Sequence, residues 1–273
     1  MSDNLFLREG IGGSAGMLVH EATKNFEKGR RFHQPADGVA VAGSWVRAVY
    51  PQAFAETPLS YAADAREAET LSCIDTLFRR RSVRAYAPQP LEFAALARFL
   101  ALAYPIEVIA PDYEPALQPH QSLSEWNGHV TTCRLLLLAR DVEGVEPGVY
   151  LVDEQVRALR RVNAIGADAL GRLVRSGCFQ EEFHSAPAFF LQVGSIHDTL
   201  LRYGERGYRY LLLENGVLLQ RLYLAASALG LAGCVTGSII QKEFEQALAL
   251  DGYLGAALNC FALGHMPTLP AAS

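Results

Sequence analysis

Apolar runs and polar breaks alternate along the chain in a way that predicts a mixed fold. ETLSCIDTLFRRR places Leu71, Ile74, Leu77 and Phe78 at helical i, i+3, i+4 spacing. Pro88 and Pro90 then interrupt the chain. PLEFAALARFLALAY opens with Pro90 at a helix N-terminus and continues amphipathically. TTCRLLLLAR, residues 131–140, is a continuous apolar run of strand length and predicts a buried strand. Pro147-Gly148 marks a turn into a second strand, GVYLVD, and VRALRRV alternates as a third. GADALGRLVRSG predicts a short helix with Gly177 near its end, and APAFFLQVGS another buried strand.

One long helix is predicted from Tyr208 to Leu229, apolar at 208, 211, 212, 215/216, 219, 222, 223, 226 and 229. Gly216 in its middle lowers helix propensity by about 1 kcal/mol. Such a residue is tolerated where another backbone or a ligand comes close. GLAGCVTGS reads as a loop, FEQALAL as a short helix and GAALNCFALG as a last strand. The sum is α+β, a mostly buried sheet with helices packed on it. Residues 1–69 read as an N-terminal arm, partly irregular, and GIGGSAG within it lacks the GK[ST] and preceding strand of a phosphate loop. Residues 70–265 form the predicted domain, with a Pro-rich polar loop at 105–128, and 266–273 a tail.

Composition narrows the function. The chain has 273 residues, 50% of them hydrophobic, enough for a sizeable core. With 24 basic against 29 acidic residues the net charge is −5, which argues against nucleic-acid partners, since phosphate neutralisation needs a basic face. The five cysteines form no CxxC pair and lie at no zinc spacing, and no HExxH occurs, so no metal is expected. No signal-peptide pattern opens the chain, and no uncharged apolar run reaches membrane-spanning length. These features lead to the expectation of a soluble, cytoplasmic protein without membrane contact.

The chemistry gathers at RRRSVRAY, residues 79–86, which packs Arg79, Arg80, Arg81 and Arg84 around Ser82. All basic residues except Lys24, Lys28 and Lys242 are arginines, so a cluster could simply be a solvated helix end, where cations complement the C-terminal dipole. The other reading is a phosphate cradle, because guanidinium forks and a hydroxyl converge well on three anionic oxygens. In an extended segment, alternation would send Arg80, Ser82 and Arg84 to one face.

LFRRRSVRAYAPQPLEFAALARFLALAY resembles the opening motif of the nitroreductase-like flavoproteins. VEGVEPGVYLVD, HEATKNF and RYGERGYRYLLLENGVLLQRLYLAASALGLAGCVTGS are similar to segments of one branch, the SagB-type dehydrogenases, and the resemblance spans about residues 18–265. It implies a nitroreductase-like fold, with a central mostly antiparallel sheet, flanking helices and a long central helix at a dimer interface. It implies FMN as cofactor, with Arg80, Arg81, Ser82 and Arg84 on the phosphate and ribityl chain, and Thr236 and Gly237 against the flavin ring.

The branch includes azoline oxidases, in which a Lys-Tyr pair before the long helix is implicated in catalysis. Arg202 and Tyr203 stand at the matching positions. Tyr203 is then the candidate base and Arg202 its electrostatic support, since arginine itself does not exchange protons. A bland reading of Tyr203 is a capping residue.

Three stretches depart from the family. In SLSEWNGHVTTCR only Gly128 is recognisable as part of the flavin-contacting segment, and Trp126 and His129 are candidates for the substrate pocket. Gly216-Val217 replaces Gly-His, and GHMPTLPAAS lacks a basic residue common near the family's C-terminus.

The resemblance implies an FMN-dependent oxidase or dehydrogenase acting on a heterocycle or amino-acid-derived unit in a peptide, carrier-bound or small natural-product intermediate. Hydride would pass to flavin N5 and oxygen would accept the electrons. The alternatives are an NAD(P)H-dependent nitro or quinone reductase, and a non-catalytic partner subunit. A homodimer is the expected assembly, with a heterodimer as the variant.

Overall fold

The computed structural model describes residues 55–59, 72–103, 132–153 and 158–267. Trp126, Gly128 and His129 lie outside the described residues. Seven strands, β1 (Ala55–Pro58), β2 (Cys133–Ala139), β3 (Gly148–Asp153), β4 (Ala158–Asn163), β5 (Ala188–Gly194), β6 (Leu231–Thr236) and β7 (Ala256–His265), form one sheet in the order β1-β4-β3-β2-β5-β7-β6. Every pairing within it is antiparallel. The helices are α1 (Cys73–Arg79), α2 (Phe93–Ala103), α3 (Ala167–Gly177), α4 (Ile196–Tyr203), α5 (Gly207–Ala228) and α6 (Gln241–Ala247). The chain thus has the α+β, mostly antiparallel architecture that its sequence predicts.

Helices cover both faces of the sheet, which explains the unbroken apolar runs of its central strands. Successive β2 side chains enter different cores, Leu135 and Leu137 with α2 and α5, Leu136 and Leu138 with α3 and α6. On the α5 side Phe99 stacks against Phe190 and Phe261, at centroid distances of 5.3 and 6.1 Å. Burial of such side chains contributes about 25 cal/mol per Å² of apolar surface.

Three sequence readings need correction. GLAGCVTGS is not a loop, because Leu231–Thr236 form β6 and pair with β7 from Leu231↔His265 to Thr236↔Cys260. Glycine is required inside this strand. A Cβ on Gly233 would lie 2.6 Å from Phe261 and 3.0 Å from the Ala226 Cβ of α5. Second, the helical period at Ile74, Leu77 and Phe78 is real, but all three side chains are exposed and the buried residue of α1 is Thr76. Third, α5 buries Glu214 and Asn215 while exposing Leu212, Leu213 and Gly216.

The polar burial in α5 is satisfied by distant backbone. Thr132 N–H donates to Glu214 Oε1 at 2.9 Å, Thr132 Oγ1 to Oε2 at 2.6 Å and Cys133 N–H to Oε1 at 3.1 Å, tying α5 to the start of β2. Asn259 Nδ2 donates to Asn215 Oδ1 at 2.8 Å, tying the same helix to β7. Helix α4, absent from the sequence reading, starts at Ser195, whose hydroxyl accepts from Asp198 N–H at 3.1 Å. It ends at Tyr203, where Gly204 takes a φ of 60°.

Candidate functional site

The site grows from the junction between α1 and the sheet's β6 edge. After α1 the chain is extended, and Val83 N–H donates to Gly233 O on β6 at 3.1 Å. Ala87 N–H donates to His265 O at the end of β7. These two bonds lay residues 80–87 along the edge strand. Alternation then turns Arg80 and Ser82 the same way, towards α5. The Arg80 guanidinium lies 5.1 Å from the Tyr223 ring centroid, and Ser82 Oγ is 3.1 Å from the Tyr223 hydroxyl. Arg84 turns back on the segment, with Nη1 3.5 Å from Ser82 O. Arg81 behaves differently, since its Nη1 donates to Phe78 O at 2.9 Å and Arg80 O at 2.8 Å, carbonyls at the end of α1. The helix-end reading of the cluster describes Arg81, while Arg80 and Ser82 converge on Tyr223.

None of Arg80, Arg81 and Arg84 has a carboxylate within salt-bridge distance among the described residues. Arg81 and Arg84 are exposed and Arg80 is half-buried, so these charges face solvent. Five phenol, thiol and hydroxyl groups surround the base of the segment. Burial pushes the Tyr223 phenol up, with Cys234 adding to it and bonds from Ser82 and Val235 opposing. Burial also pushes Tyr86 up, helped by Cys234, Cys260 and Tyr223 against the Arg84 charge. Both phenols are thus neutral donors in the physiological range.

Thr236 closes β6 and is buried, its hydroxyl accepting from Ser238 N–H at 3.0 Å. Gly237 follows and is exposed, and a Cβ built on it would meet nothing within 4 Å. Val83's bond to Gly233 and Tyr223's bond to Val235 N–H place the 80–84 segment and the end of β6 in one neighbourhood.

Tyr203 is not in that neighbourhood. Its ring packs edge-on against Tyr210 in the first turns of α5, centroids 5.1 Å apart, with Arg202 before it in α4. Tyr210 and Tyr223 are separated by about 20 Å along the α5 axis at 1.5 Å per residue. A cation does stand beside this aromatic pair. Arg206 Nη2 donates to the Tyr210 hydroxyl at 2.5 Å, with its guanidinium 5.6 Å from the Tyr210 ring centroid. Tyr223 is the residue that sequence reasoning missed, because it was counted only as an apolar position of the long helix. The available signal was its hydroxyl, which needs a partner when buried in such a face.

Among the described residues no group of three or more His, Cys, Asp or Glu could hold a metal ion, and no helix is long and apolar enough to cross a membrane.

Comparison with known proteins gives this geometry its context. Residues 77–265 match the Nitroreductase family. A candidate nitroreductase of Methanocaldococcus jannaschii is 28% identical over 185 residues, covering 68% of this chain and 88% of that protein. The crystal structure of a candidate nitroreductase from Anabaena variabilis superposes with a TM-score of 0.65 at 19% identity. The match covers 92% of this chain but 47% of that one, so this chain spans about half the length of that neighbour. A chain of the E. coli microcin synthetase McbBCD complex, solved with truncated pro-MccB17 bound, superposes with a TM-score of 0.55 at 18% identity, covering 83% of this chain and 88% of that one. The family match runs from within α1 to the last residue of β7 and takes in the 80–84 segment, Tyr223 and the end of β6, and on that extent the chain belongs to the Nitroreductase family.

Proposed function

We propose that the protein is an FMN-dependent oxidoreductase of the SagB type. It oxidises a heterocycle or amino-acid-derived unit in a peptide, carrier-bound or small natural-product intermediate, with oxygen as the electron acceptor. The observation that carries the cofactor reading is the arginine segment, which has no carboxylate partner among the described residues. Two guanidiniums and a hydroxyl brought together beside an edge strand have the donor chemistry for one phosphate. Family membership supports a flavin as its bearer. The fold shared with a chain of a microcin synthetase complex solved with truncated pro-MccB17 bound supports a peptide-like substrate.

FMN, when bound, supplies a two-electron acceptor that takes hydride at its N5 atom. Arg80, Ser82 and Arg84 would hold its phosphate and ribityl chain, with Arg81 behind them at the helix end. Thr236 and Gly237 would lie against the ring, with the Gly237 N–H towards its polar edge, and the open space at Gly237 leaves room for a planar group. Gly128 would contribute to the ring's surroundings, and Trp126 and His129 would line the substrate pocket. Tyr203 would take a substrate proton, its phenol supported by the Arg202 charge.

The distance from Tyr203 to the cradle fits a homodimer. Leu212, Leu213 and Gly216 are exposed on α5, with Gly216 about midway between Tyr210 and Tyr223. An antiparallel crossing of α5 with its copy at Gly216 would bring the Tyr203 end of one helix to the Tyr223 end of the other. The exposed Ile74, Leu77 and Phe78 on α1, which packs on α5, would be covered in the same assembly.

The visible spectrum of the purified protein, with mass spectrometry of what heat releases, tests the reading. Stoichiometric FMN is the expected result. Colourless protein that takes up no added FMN would remove the cofactor and the reaction together. Slow bleaching by anaerobic NADPH, with turnover of a peptide azoline, separates this function from nitro or quinone reduction.

A further inference from the structure

Tyr223 touches more of the candidate site than any position singled out from sequence. It sits on α5 and reaches two other segments. Its ring lies under the Arg80 guanidinium at 5.1 Å, and its edge-on contact with Phe261, at 5.2 Å, anchors the ring in the core. Its hydroxyl is 3.1 Å from Ser82 Oγ, where either oxygen can donate, accepts from Val235 N–H at 3.0 Å and donates to Cys234 Sγ at 3.5 Å.

A phenol oxygen has one proton and two lone pairs. The Val235 N–H occupies one lone pair. The phenol proton has two acceptors, Cys234 Sγ and Ser82 Oγ, and when an anion accepts from the Ser82 hydroxyl the phenol proton would turn to Ser82 Oγ and hold that hydroxyl pointing away from α5. A hydroxyl that accepts one hydrogen bond donates a stronger one. The same oxygen thus orients the Ser82 donor and fixes Val235, the residue before Thr236.

We propose that Tyr223 is a positioning residue for the phosphate cradle, setting the Arg80 guanidinium and the Ser82 hydroxyl against the end of β6. The inference rests on the FMN reading above and adds to it a residue that itself touches no part of the cofactor. A merely structural tyrosine would stabilise the fold alike with and without ligand. A positioning tyrosine changes how well the protein prefers a phosphorylated flavin to an unphosphorylated one.

The test is a fluorescence titration of the flavin-free protein with FMN and with riboflavin, which lacks the phosphate. Tyr223→Phe keeps the ring under Arg80 and removes the hydroxyl. It is expected to weaken FMN binding by about 5- to 10-fold, the loss of one neutral hydrogen bond, and riboflavin binding by about twofold or less. Tyr223→Leu also removes the ring and is expected to lose more FMN affinity than Tyr223→Phe. Combining Tyr223→Phe with Ser82→Ala is expected to lose little beyond Ser82→Ala alone, since one acts through the other.

A Tyr223→Phe protein with the wild-type ratio of FMN to riboflavin affinity overturns the proposal, even if it melts earlier. So does a double variant whose losses simply add. If Tyr223→Phe does not fold, Ser82→Ala carries the test, and an unchanged affinity ratio in that variant overturns the proposal too. Wild-type protein that binds neither flavin overturns the FMN reading itself. Wild-type protein that binds both flavins equally removes the cradle while leaving a flavin site.

Discussion

Adjacent arginines occur twice in the described chain, in opposite surroundings. On β4, Arg160 stands directly across from Glu56 of β1, reaching its carboxylate at 3.3 Å and that of Asp153 at 3.2 Å. Its neighbour Arg161 reaches Glu146 at 2.5 Å and the Pro147 carbonyl at 2.8 Å. After α1, Arg80, Arg81 and Arg84 meet an aromatic face and backbone carbonyls, and no carboxylate among the described residues. The β4 pair takes its counter-charges from neighbouring strands and a turn, so its charge is spent inside the sheet. Among the described residues, the segment after α1 is met by hydroxyl, phenol and backbone carbonyl groups. The lesson is that arginine density carries little information in a chain whose default cation is arginine. What separates a ligand cradle from a structural pair is the missing acid.

The largest effect is expected from removing the unpaired charges. A charge-assisted hydrogen bond is worth about 1.5–3 kcal/mol, or about 10- to 100-fold in affinity. Arg80→Ala combined with Arg84→Ala should therefore weaken FMN binding at least about 100-fold in a fluorescence titration. Riboflavin binding should change little. Raising salt from low to high ionic strength should weaken FMN binding in the wild type and much less in the double variant. A double variant that holds FMN as the wild type does would erase the contrast between the two regions.

The β4 pair should respond in the complementary way. Arg160→Ala is expected to lower stability by about 1 kcal/mol, the scale of a partly exposed ion pair, in urea unfolding. Its FMN affinity should stay at the wild-type value. Loss of FMN without loss of stability would mean that the two regions are not separable.

How far the sequence revealed this arrangement depended on whether each residue's partner was local. Strands β2, β3 and β5 were legible because covering both faces buries their whole length and makes most of it apolar. Strand β6 was not, because Gly230, Gly233 and Gly237 read as loop punctuation. Only the Phe261 ring pressed against Gly233 shows why glycine belongs inside that strand. The helical period of α1 was legible, but the exposure of its apolar side was not, since apolar residues at helical spacing read alike whether buried or exposed. Glu214 stood outside the apolar stripe read from the sequence, and its burial is explained only by the bonds that Thr132 and Cys133 supply from far along the chain. The arginine segment was found from composition and resemblance. That Arg81 turns to the nearby helix end while Arg80 and Ser82 meet Tyr223 was not legible, the second half because those contacts join residues more than a hundred apart in sequence.

The smallest predicted effect tests that division within the cluster itself. Arg81 donates to Phe78 O and Arg80 O, so its charge lies against the negative end of α1. A cation in that position stabilises a helix by about 0.3–1 kcal/mol when exposed, and Arg81 is exposed. Arg81→Ala should then cost about half a kcal/mol of stability, through fraying of a short helix. Its FMN affinity should fall about twofold or less, from the loss of a screened charge near the phosphate. Arg80→Ala should fall about 10-fold or more by the same measurement, because its guanidinium is held on the face shared with Ser82. If Arg81→Ala loses as much FMN affinity as Arg80→Ala, Arg81 leaves the helix end when the anion arrives. The helix end would then be the ligand-free resting place of a third phosphate donor, and the cradle would be assembled by binding rather than built beforehand.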